Sequence, residues 1–352
     1  MGNEKTAPES RGLIPGESHA GKGRRGIPRG GELSTKARLL QRLRREAGSA
    51  VSGETLGEAL GISRVAVWKA LKSLRDAGYP VTADEGGYRL NPGGGDDFLY
   101  PWEFGDRENL FYHWEITGST MDRARDLAVR GSPGGTVITA GTQTAGRGRN
   151  GRSWASSRGG LFFTLLERPN LAVADYAQPA LAVHIGLGAA IGAACGKEAR
   201  LRWPNDVYVR DRKIAGILTE LYGTGDRISW MTLGVGVNVN NPVPPRGAVS
   251  CAALTGHPLS RRELLLGILD ALAAVKKAGP GPGELSRRWN AAADGIGRTV
   301  AADGPGRGPE AGGRIRGVFM GVDGSGRGMV QTGEGLRFLS PGSASLRFVC
   351  IP

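Results

Sequence analysis

The chain has little from which to build a cross-linked, metal-clustered or exported protein. Three cysteines, Cys195, Cys251 and Cys350, in 352 residues exclude a dense disulfide framework and a cysteine-based zinc cluster, so a reducing cytoplasm is the expected compartment. Four histidines, at 19, 113, 184 and 257, are too scattered for a metal centre or a histidine-based triad. No run of 18 or more apolar residues is read along the chain, and the opening MGNEKTAPESRG lacks the apolar core of a secretion signal. Neither membrane insertion nor export is therefore expected.

What is abundant is glycine and positive charge. Gly 59 and Pro 20 make up about 22 % of the chain, just short of low-complexity composition. Hydrophobic residues at 39 % still allow a sizeable core, and no glycine recurs at every third position, which excludes a collagen-like chain. Lys+Arg 46 against Asp+Glu 33 leaves +13, a field that favours polyanions or phosphorylated ligands without choosing between them.

Position along the chain sorts these residues. Residues 1–31, including AGKGRRGIPRGG, have no helical or strand periodicity and are expected to be a disordered basic tail. Residues 32–92 carry the signals of a winged helix-turn-helix. Leu39, Leu40 and Leu43 stripe a first helix; Ser52 caps a second, with Leu56, Ala59 and Leu60; Ser63 caps a third, lined by Val67, Ala70, Leu71 and Leu74. PVTA and GYRL form the wing. On the third helix Ser63, Arg64, Trp68, Lys69 and Lys72 are the exposed candidates for a DNA major groove; the alternatives are a domain that only packs against its neighbour, with the basic groups as a solvated face, and Trp68 as a core anchor. NPGGGDDF at 91–98 reads as a hinge within a linker over 93–109.

A larger unit is expected over 110–295. A strand near 110–116, Ser119 and Thr120, a helix over about 121–130 and the strand TVITA lead to TQTAGRGRNGRSW, where glycines alternate with basic or hydrogen-bonding groups. Gly146, Gly148 and Gly151 free the backbone to approach an anion, and Arg147, Arg149 and Arg152 offer pronged bonds to carboxylate or phosphate, with a mobile basic surface loop the alternative. The segment is neither a GxxxxGK[ST] phosphate loop nor a GxGxxG fingerprint. In RWPNDVYVRDRKIAGILTEL two strands flank the turn from Arg210 to Lys213, which can bring Asp206 and Lys213 to one sheet end with Asn205 nearby; an Asx turn and solvated hairpin is the bland alternative. Asn238 and Asn240 end a further strand and either contact a nucleotide or close a turn. His184 sits in an apolar helix and is expected to be packed. Residues 259–290 suggest one long and one shorter helix, and 296–352 a small barrel of short strands.

GSTMD, TQTAGRGRNGRSW, RWPNDVYV, DRKIAGILTE and GVGVNVN, in that order, resemble the biotin protein ligase family, and residues 32–92 resemble the DNA-binding domain of its bifunctional repressor members. The resemblance implies an α+β protein: an N-terminal winged helix-turn-helix, a central biotin/lipoate-ligase-like mixed sheet with helices, and a C-terminal SH3-like β-barrel. It implies activation of biotin by ATP and Mg²⁺ to biotinyl-5′-AMP, then transfer to a lysine of a biotin carboxyl carrier protein. It further implies operator DNA of biotin genes as a partner and a homodimer promoted by the adenylate.

Ser119, Thr120 and Gln143 fall at biotin-contacting positions, and Gly146, Arg147 and Arg149 in the loop that orders over biotin or its adenylate. Lys213 matches the lysine beside the carboxylate and α-phosphate. Lys213, Arg147 and Arg149 are the implied catalytic set; Arg152, Trp154, Asn205, Asp206, Gly216 and Asn238 complete the binding set, and no metal ligands are implied. Arg202 stands where many relatives have lysine, and FLSPGSASLRF departs from the usual serine-glycine-glutamate pattern. A lipoate-attaching enzyme and a biotin-sensing DNA-binding protein without catalysis are the competing readings.

Overall fold

The structure, a computed structural model, describes residues 33–46, 48–91, 97–243, 247–279, 281–302, 315–342 and 346–348. The expected basic tail lies outside them.

Serine caps set the first helices. Helix α1 (Thr35–Arg45), α2 (Gly53–Leu60) and α3 (Arg64–Asp76) each begin after a serine, Ser34, Ser52 and Ser63, whose hydroxyl accepts a first-turn backbone N–H at 3.2, 3.0 and 3.2 Å. Gly61 ends α2 in the left-handed region at φ 65, a conformation that favours glycine. The inward stripes of the helices, Leu39, Leu40, Leu43, Leu56, Val67, Leu71 and Leu74, share one small core with Tyr79 and Val81. Strands β1 (Val81–Asp84) and β2 (Gly87–Leu90) pair antiparallel from Val81↔Leu90 to Asp84↔Gly87 as the wing. On the outer side of α3, Val65 and Trp68 are 61 % and 48 % exposed, so Trp68 is not the core anchor.

The expected hinge falls partly on residues 92–96, outside the described residues; the segment from Asp97 onwards is packed rather than slack. Asp97 accepts the backbone N–H of Arg261 at 2.6 Å and its Nε–H at 2.7 Å. The rings of Tyr79 and Phe98 stack at 4.3 Å, and those of Tyr100 and Trp102 at 4.7 Å. Beneath them the fully buried Glu103 carboxylate accepts both prongs of Arg44 at 2.8 and 3.0 Å and the Tyr79 hydroxyl at 2.5 Å. Arg262 lies 3.7 Å away. A buried carboxylate is tolerable because its lone pairs are taken by charged and hydroxyl donors, here Arg44 and Tyr79 of the N-terminal unit, while Arg262 adds a longer ion-pair contact from the central unit.

The central unit contains β3 (Phe111–Thr117), α4 (Thr120–Val129), β4 (Thr136–Gln143), β5 (Leu161–Glu167), α5 (Ala177–Cys195), β6 (Arg200–Arg202), β7 (Asp206–Val209), β8 (Arg212–Thr224), β9 (Arg227–Val237), α6 (Cys251–Thr255), α7 (Arg261–Lys277) and α8 (Pro282–Ala291). Its seven strands run β3-β4-β5-β9-β8-β7-β6, with β3 and β4 parallel and the other pairs antiparallel. Alternation assigns the faces: Val137 and Leu165 join the large core with Leu187, Ile191, Leu265 and Leu272 of α5 and α7, while Ile138 and Leu166 pack with Ala124 and Ala128 of α4.

The longest apolar helix is interrupted by Gln178 and His184, so no uninterrupted run of 18 apolar residues occurs in it. The segment Val173–Cys195 is long and apolar enough to cross a membrane, with a mean hydropathy of 1.4. Its apolarity has another cause: Leu181, Val183, Leu187 and Ile191 are buried in the main core, as expected of a helix that packs a broad apolar face on the protein interior.

Strands β10 (Thr299–Ala302), β11 (Ile315–Val322), β12 (Gly328–Thr332), β13 (Gly335–Leu339) and β14 (Leu346–Phe348) form an antiparallel sheet in the order β13-β12-β11-β10-β14. The expected closed barrel is seen here as a five-stranded sheet, because the three-residue β14 pairs with β10 and no pairing joins it to β13 among the described residues. The sheet packs on the central unit through Val300, Phe319, Val330 and Leu339. At Gly328 a side chain would come within 3.0 Å of the Trp203 ring, so glycine allows that close approach.

Candidate active site

At the ends of the central strands lies a cavity of about 330 Å³, within the size range of small-molecule sites. Its lining includes Ser119, Thr120, Gln143, Arg147, Arg149, Arg152, Trp154, Asn205, Asp206, Lys213 and Gly216, drawn from segments distant in the sequence. Gly146 stands just behind it, where a Cβ would come within 2.5 Å of Ser156 Oγ and 2.6 Å of the Trp154 carbonyl oxygen. Asn238 does not reach the lining. Its side-chain oxygen accepts from Asn241 Nδ2 at 3.2 Å, and Asn240 is bonded to Leu259 through both ends of its amide at 2.7 and 2.9 Å; both asparagines serve turns.

One end of the cavity is uncharged and already bonded. Ser119 caps α4, accepting from Met121 N at 3.3 Å. Gln143 at the end of β4 accepts the backbone N–H and hydroxyl of Thr120 at 2.8 and 3.1 Å and donates from Nε2 to Ser156 Oγ at 2.9 Å. These bonds fix the amide's orientation before any ligand enters. Polar groups so arranged present a fixed pattern of donors and acceptors near a helix N-terminus.

The other end is ionic. Across the β7–β8 pair Asp206 stands opposite Gly216 and Lys213 opposite Tyr208, and the lysine side chain reaches along the strands so that Nζ lies 2.7 Å from Asp206 Oδ1. The turn between the strands places Arg210 and Asp211 at φ 49 and 60, left-handed values that the tight hairpin demands. The indole of Trp154 covers a glycine floor. A Cβ on Gly216 would sit 3.1 Å from the ring, and one on its cross-strand partner Gly236 only 2.4 Å from Nε1. Lys213 Nζ lies 5.1 Å from the ring centroid, within cation–π range.

The arginines take different partners. Arg149 leaves its loop to reach the C-terminal sheet, donating to the Pro341 carbonyl at 2.5 Å and to Asn205 Oδ1 at 3.5 Å; burial pushes its pKa down from the ordinary value. Arg147 turns towards α4 and β8, with Nη1 donating to Asp122 Oδ2 at 2.9 Å. Arg202 lies 3.6 Å over the Tyr208 ring and donates from Nε to Asp294 at 2.8 Å, so the sequence departure at this position has its own cradle.

His184 lies beneath the site. Its Nδ1 accepts from Trp289 Nε1 at 3.0 Å and its Nε2 donates to the Asp206 carbonyl at 3.0 Å, an arrangement that only the neutral ring satisfies. Burial pushes its pKa down to about 4. The lining also contains Met121, Tyr208, Ile217, Leu218, Gly234 and Gly236, which sequence reading did not single out. The paired glycines of GVGVNVN were the available signal, since glycine within a strand marks close approach by another group. Among the described residues no group of three or more His, Cys, Asp or Glu converges as a metal site. Asp206 is the one carboxylate in the described lining, so a hard cation would take most of its oxygen ligands from elsewhere.

Comparison with known proteins fits this geometry. Residues 114–238 match the biotin/lipoate A/B protein ligase family and residues 35–89 a helix-turn-helix domain. The bifunctional ligase/repressor BirA of Bacillus subtilis is 32 % identical over 302 residues, covering 82 % of this chain and 91 % of that protein. A biotin–acetyl-CoA-carboxylase ligase of Paracoccus denitrificans is 34 % identical over 222 residues, 60 % of this chain and 89 % of that one. Among solved structures, the biotin protein ligase of Aquifex aeolicus in complex with biotin and ATP matches with a TM-score of 0.57 at 28 % identity, covering 68 % of this chain and 99 % of that one.

Proposed function

The chain belongs to the family of bifunctional biotin protein ligases and repressors, and from that membership we propose how its residues carry the two activities. It is an ATP-dependent biotin protein ligase with a DNA-binding repressor head. The observation that carries the reading is the cavity with a prebonded neutral end at Ser119, Thr120 and Gln143 and an ionic end at Lys213, Asp206 and Arg149.

Biotin enters with its uncharged head towards Gln143 and its carboxylate towards Lys213. The carboxylate oxygen attacks the α-phosphorus of ATP, the bond to the β-phosphate breaks, and pyrophosphate leaves. Lys213 opposes the negative charge that gathers on the α-phosphate oxygens, a contribution that grows towards the transition state. Arg149 holds the adenylate from the side of the C-terminal sheet, with Asn205 beside it. Bound with ATP, Mg²⁺ would screen the phosphate charge, and Asp206 is the lining carboxylate that would help hold it. An acceptor lysine of a biotin carboxyl carrier protein then attacks the activated carbonyl, and AMP departs. The 146–154 loop limits access of water until that lysine arrives.

In the head, α3 is the element for the major groove, with Arg64, Lys69 and Lys72 on its outer side. A homodimer promoted by biotinyl-5′-AMP would present two such helices to a two-half-site operator of biotin genes. The C-terminal sheet acts as the SH3-like module of the family, supporting the site through Pro341 and Leu346. A cytoplasmic location follows from the need for ATP and a carrier protein.

The test offers labelled biotin, with lipoate as competitor, to the protein together with ATP, Mg²⁺ and a carrier domain. Labelling of one carrier lysine, unaffected by lipoate, is expected; lipoate transfer in its place would sink the substrate assignment. A gel-shift series with the adenylate-loaded protein, at controlled salt because basic surfaces bind any DNA, tests the head. A shift no stronger on biotin-gene operator DNA than on random duplex would remove the repressor role and leave the ligase.

A further inference from the structure

Arg147 lines the cavity, yet its guanidinium is engaged on the far side of the loop. Nη1 donates to Asp122 Oδ2 at 2.9 Å, Nη2 lies 2.9 Å from Asp122 Oδ1, and Glu220 Oε1 is 3.6 Å from Nη2. Asp122 belongs to the first turn of α4, and Glu220 to β8, two residues beyond the cavity-lining Leu218. These anchors are themselves held. Glu220 accepts from the Tyr222 hydroxyl at 2.9 Å and pairs with Arg125 at 3.2 Å, while the Tyr222 ring stacks on Trp230 at 3.7 Å.

Across the loop the geometry is that of a short hairpin. Gly148 N donates to the Arg152 carbonyl at 2.7 Å and Trp154 N to the Gly146 carbonyl at 2.9 Å. One limb ends in the Trp154 indole on its glycine floor; the other is tied by the Arg147 fork to α4 and β8. A fork on a carboxylate fixes direction as well as distance, so the two ties together set where the hairpin lies above the cavity.

We propose that Asp122 and Glu220 are positioning residues which, through Arg147, hold the 146–154 hairpin over the activated intermediate and so set how long the adenylate is retained rather than how fast it forms. The proposal rests on the ligase reading. Arg147 and Asp122 are 35 % and 45 % exposed at their side chains, so the tie is screened by salt and can be undone when an acceptor docks. Neither carboxylate lines the cavity, which separates this role from contact with the substrates.

The experiment uses the full chain. Biotinyl-AMP is formed on the protein, excess biotin is removed, and loss of bound adenylate is followed after a chase with unlabelled biotinyl-AMP, alongside single-turnover formation. Asp122→Asn is expected to speed release about three- to tenfold, the range of a partly exposed charge pair, and to leave formation within about twofold. Glu220→Gln shows the same direction with a smaller change and covers the case in which Asp122→Asn fails to fold. Raising the salt speeds release from the wild type and has less effect on Asp122→Asn. In an Arg147→Gln background the Asp122→Asn effect disappears, which a purely structural loss in α4 would not produce. Unchanged release in both folded single variants, or an undiminished Asp122→Asn effect without Arg147, overturns the proposal. No biotinyl-AMP from the wild type overturns the ligase reading and this inference with it.

Discussion

The two ends of the cavity differ in how they are made ready. At the neutral end Gln143 bonds Thr120 and Ser156 at 2.8–3.1 Å and Ser119 accepts from Met121 N at 3.3 Å, so a ligand meets a rigid pattern and gains mainly orientation. At the ionic end Lys213 and Asp206 are held together by charge, with Arg149 of the 146–154 loop tied to Pro341 beside them, and in the proposed reaction this environment acts on charge that changes. Binding discrimination and rate acceleration are thus assigned to different groups. Substitutions at one end should move KM and at the other kcat.

The largest effect is expected at the ionic end. Lys213→Ala should lower the rate of adenylate formation about 100-fold or more, the scale set by removing one preorganised charge-stabilising donor, with biotin affinity little changed. Pyrophosphate release under saturating biotin measures it, and a loss confined to KM would erase the distinction between the ends. Gly236→Val comes next. Its side chain would collide with the Trp154 indole, where even a Cβ stands 2.4 Å from Nε1, and overpacking of this kind costs about 1–3 kcal/mol. Adenylation should fall about tenfold with a lowered Tm; full activity would show that the indole does not need its glycine floor.

At the neutral end Gln143→Ala removes a hydrogen-bonded amide and should raise the KM for biotin up to about tenfold, with kcat within about twofold, as expected for a net loss near 1 kcal/mol. A fall in kcat alone would contradict the proposed division. The smallest effect concerns the support beneath both ends. His184 is held neutral, with its pKa at about 4 against about 6.5 when unfolded. The unfolded chain therefore binds the proton more readily than the folded one across that interval, and stability falls as pH drops. From pH 6.5 to 5.5 the unfolding free energy should decline by about 1 kcal/mol through this group. Urea titrations at the two pH values check it, and a decline that persists undiminished in a folded His184→Gln variant would assign it to another group.

The parts legible in the sequence were those fixed by neighbours along the chain. Ser52 and Ser63 announce helix starts, Gly61 a helix end, and Val67, Leu71 and Leu74 a buried stripe, because caps and helical periodicity act within a few residues. That Asp206 and Lys213 come to one sheet end was equally readable, since a short hairpin keeps its two strands side by side, though the register that sets Asp206 opposite Gly216 was not. The direction of the Arg147 fork was not readable: its partners Asp122 and Glu220 lie 25 residues before and 73 after it, and only the folded sheet brings them together. The same holds for Glu103, whose burial between Arg44 and Tyr79 turns an expected loose connector into a fastening. Glycine meant flexibility when read locally; at Gly216 and Gly236 it supplies room for an aromatic ring.

The most direct test of the account is mass detection of biotinyl-5′-AMP after incubating the protein with biotin, ATP and Mg²⁺, with pyrophosphate counted in the same reaction. The account predicts both products in equal amounts from the wild type, and their loss together in Lys213→Ala. A folded protein that binds biotin tightly yet yields neither product would contradict it and leave a biotin-sensing DNA-binding protein in its place.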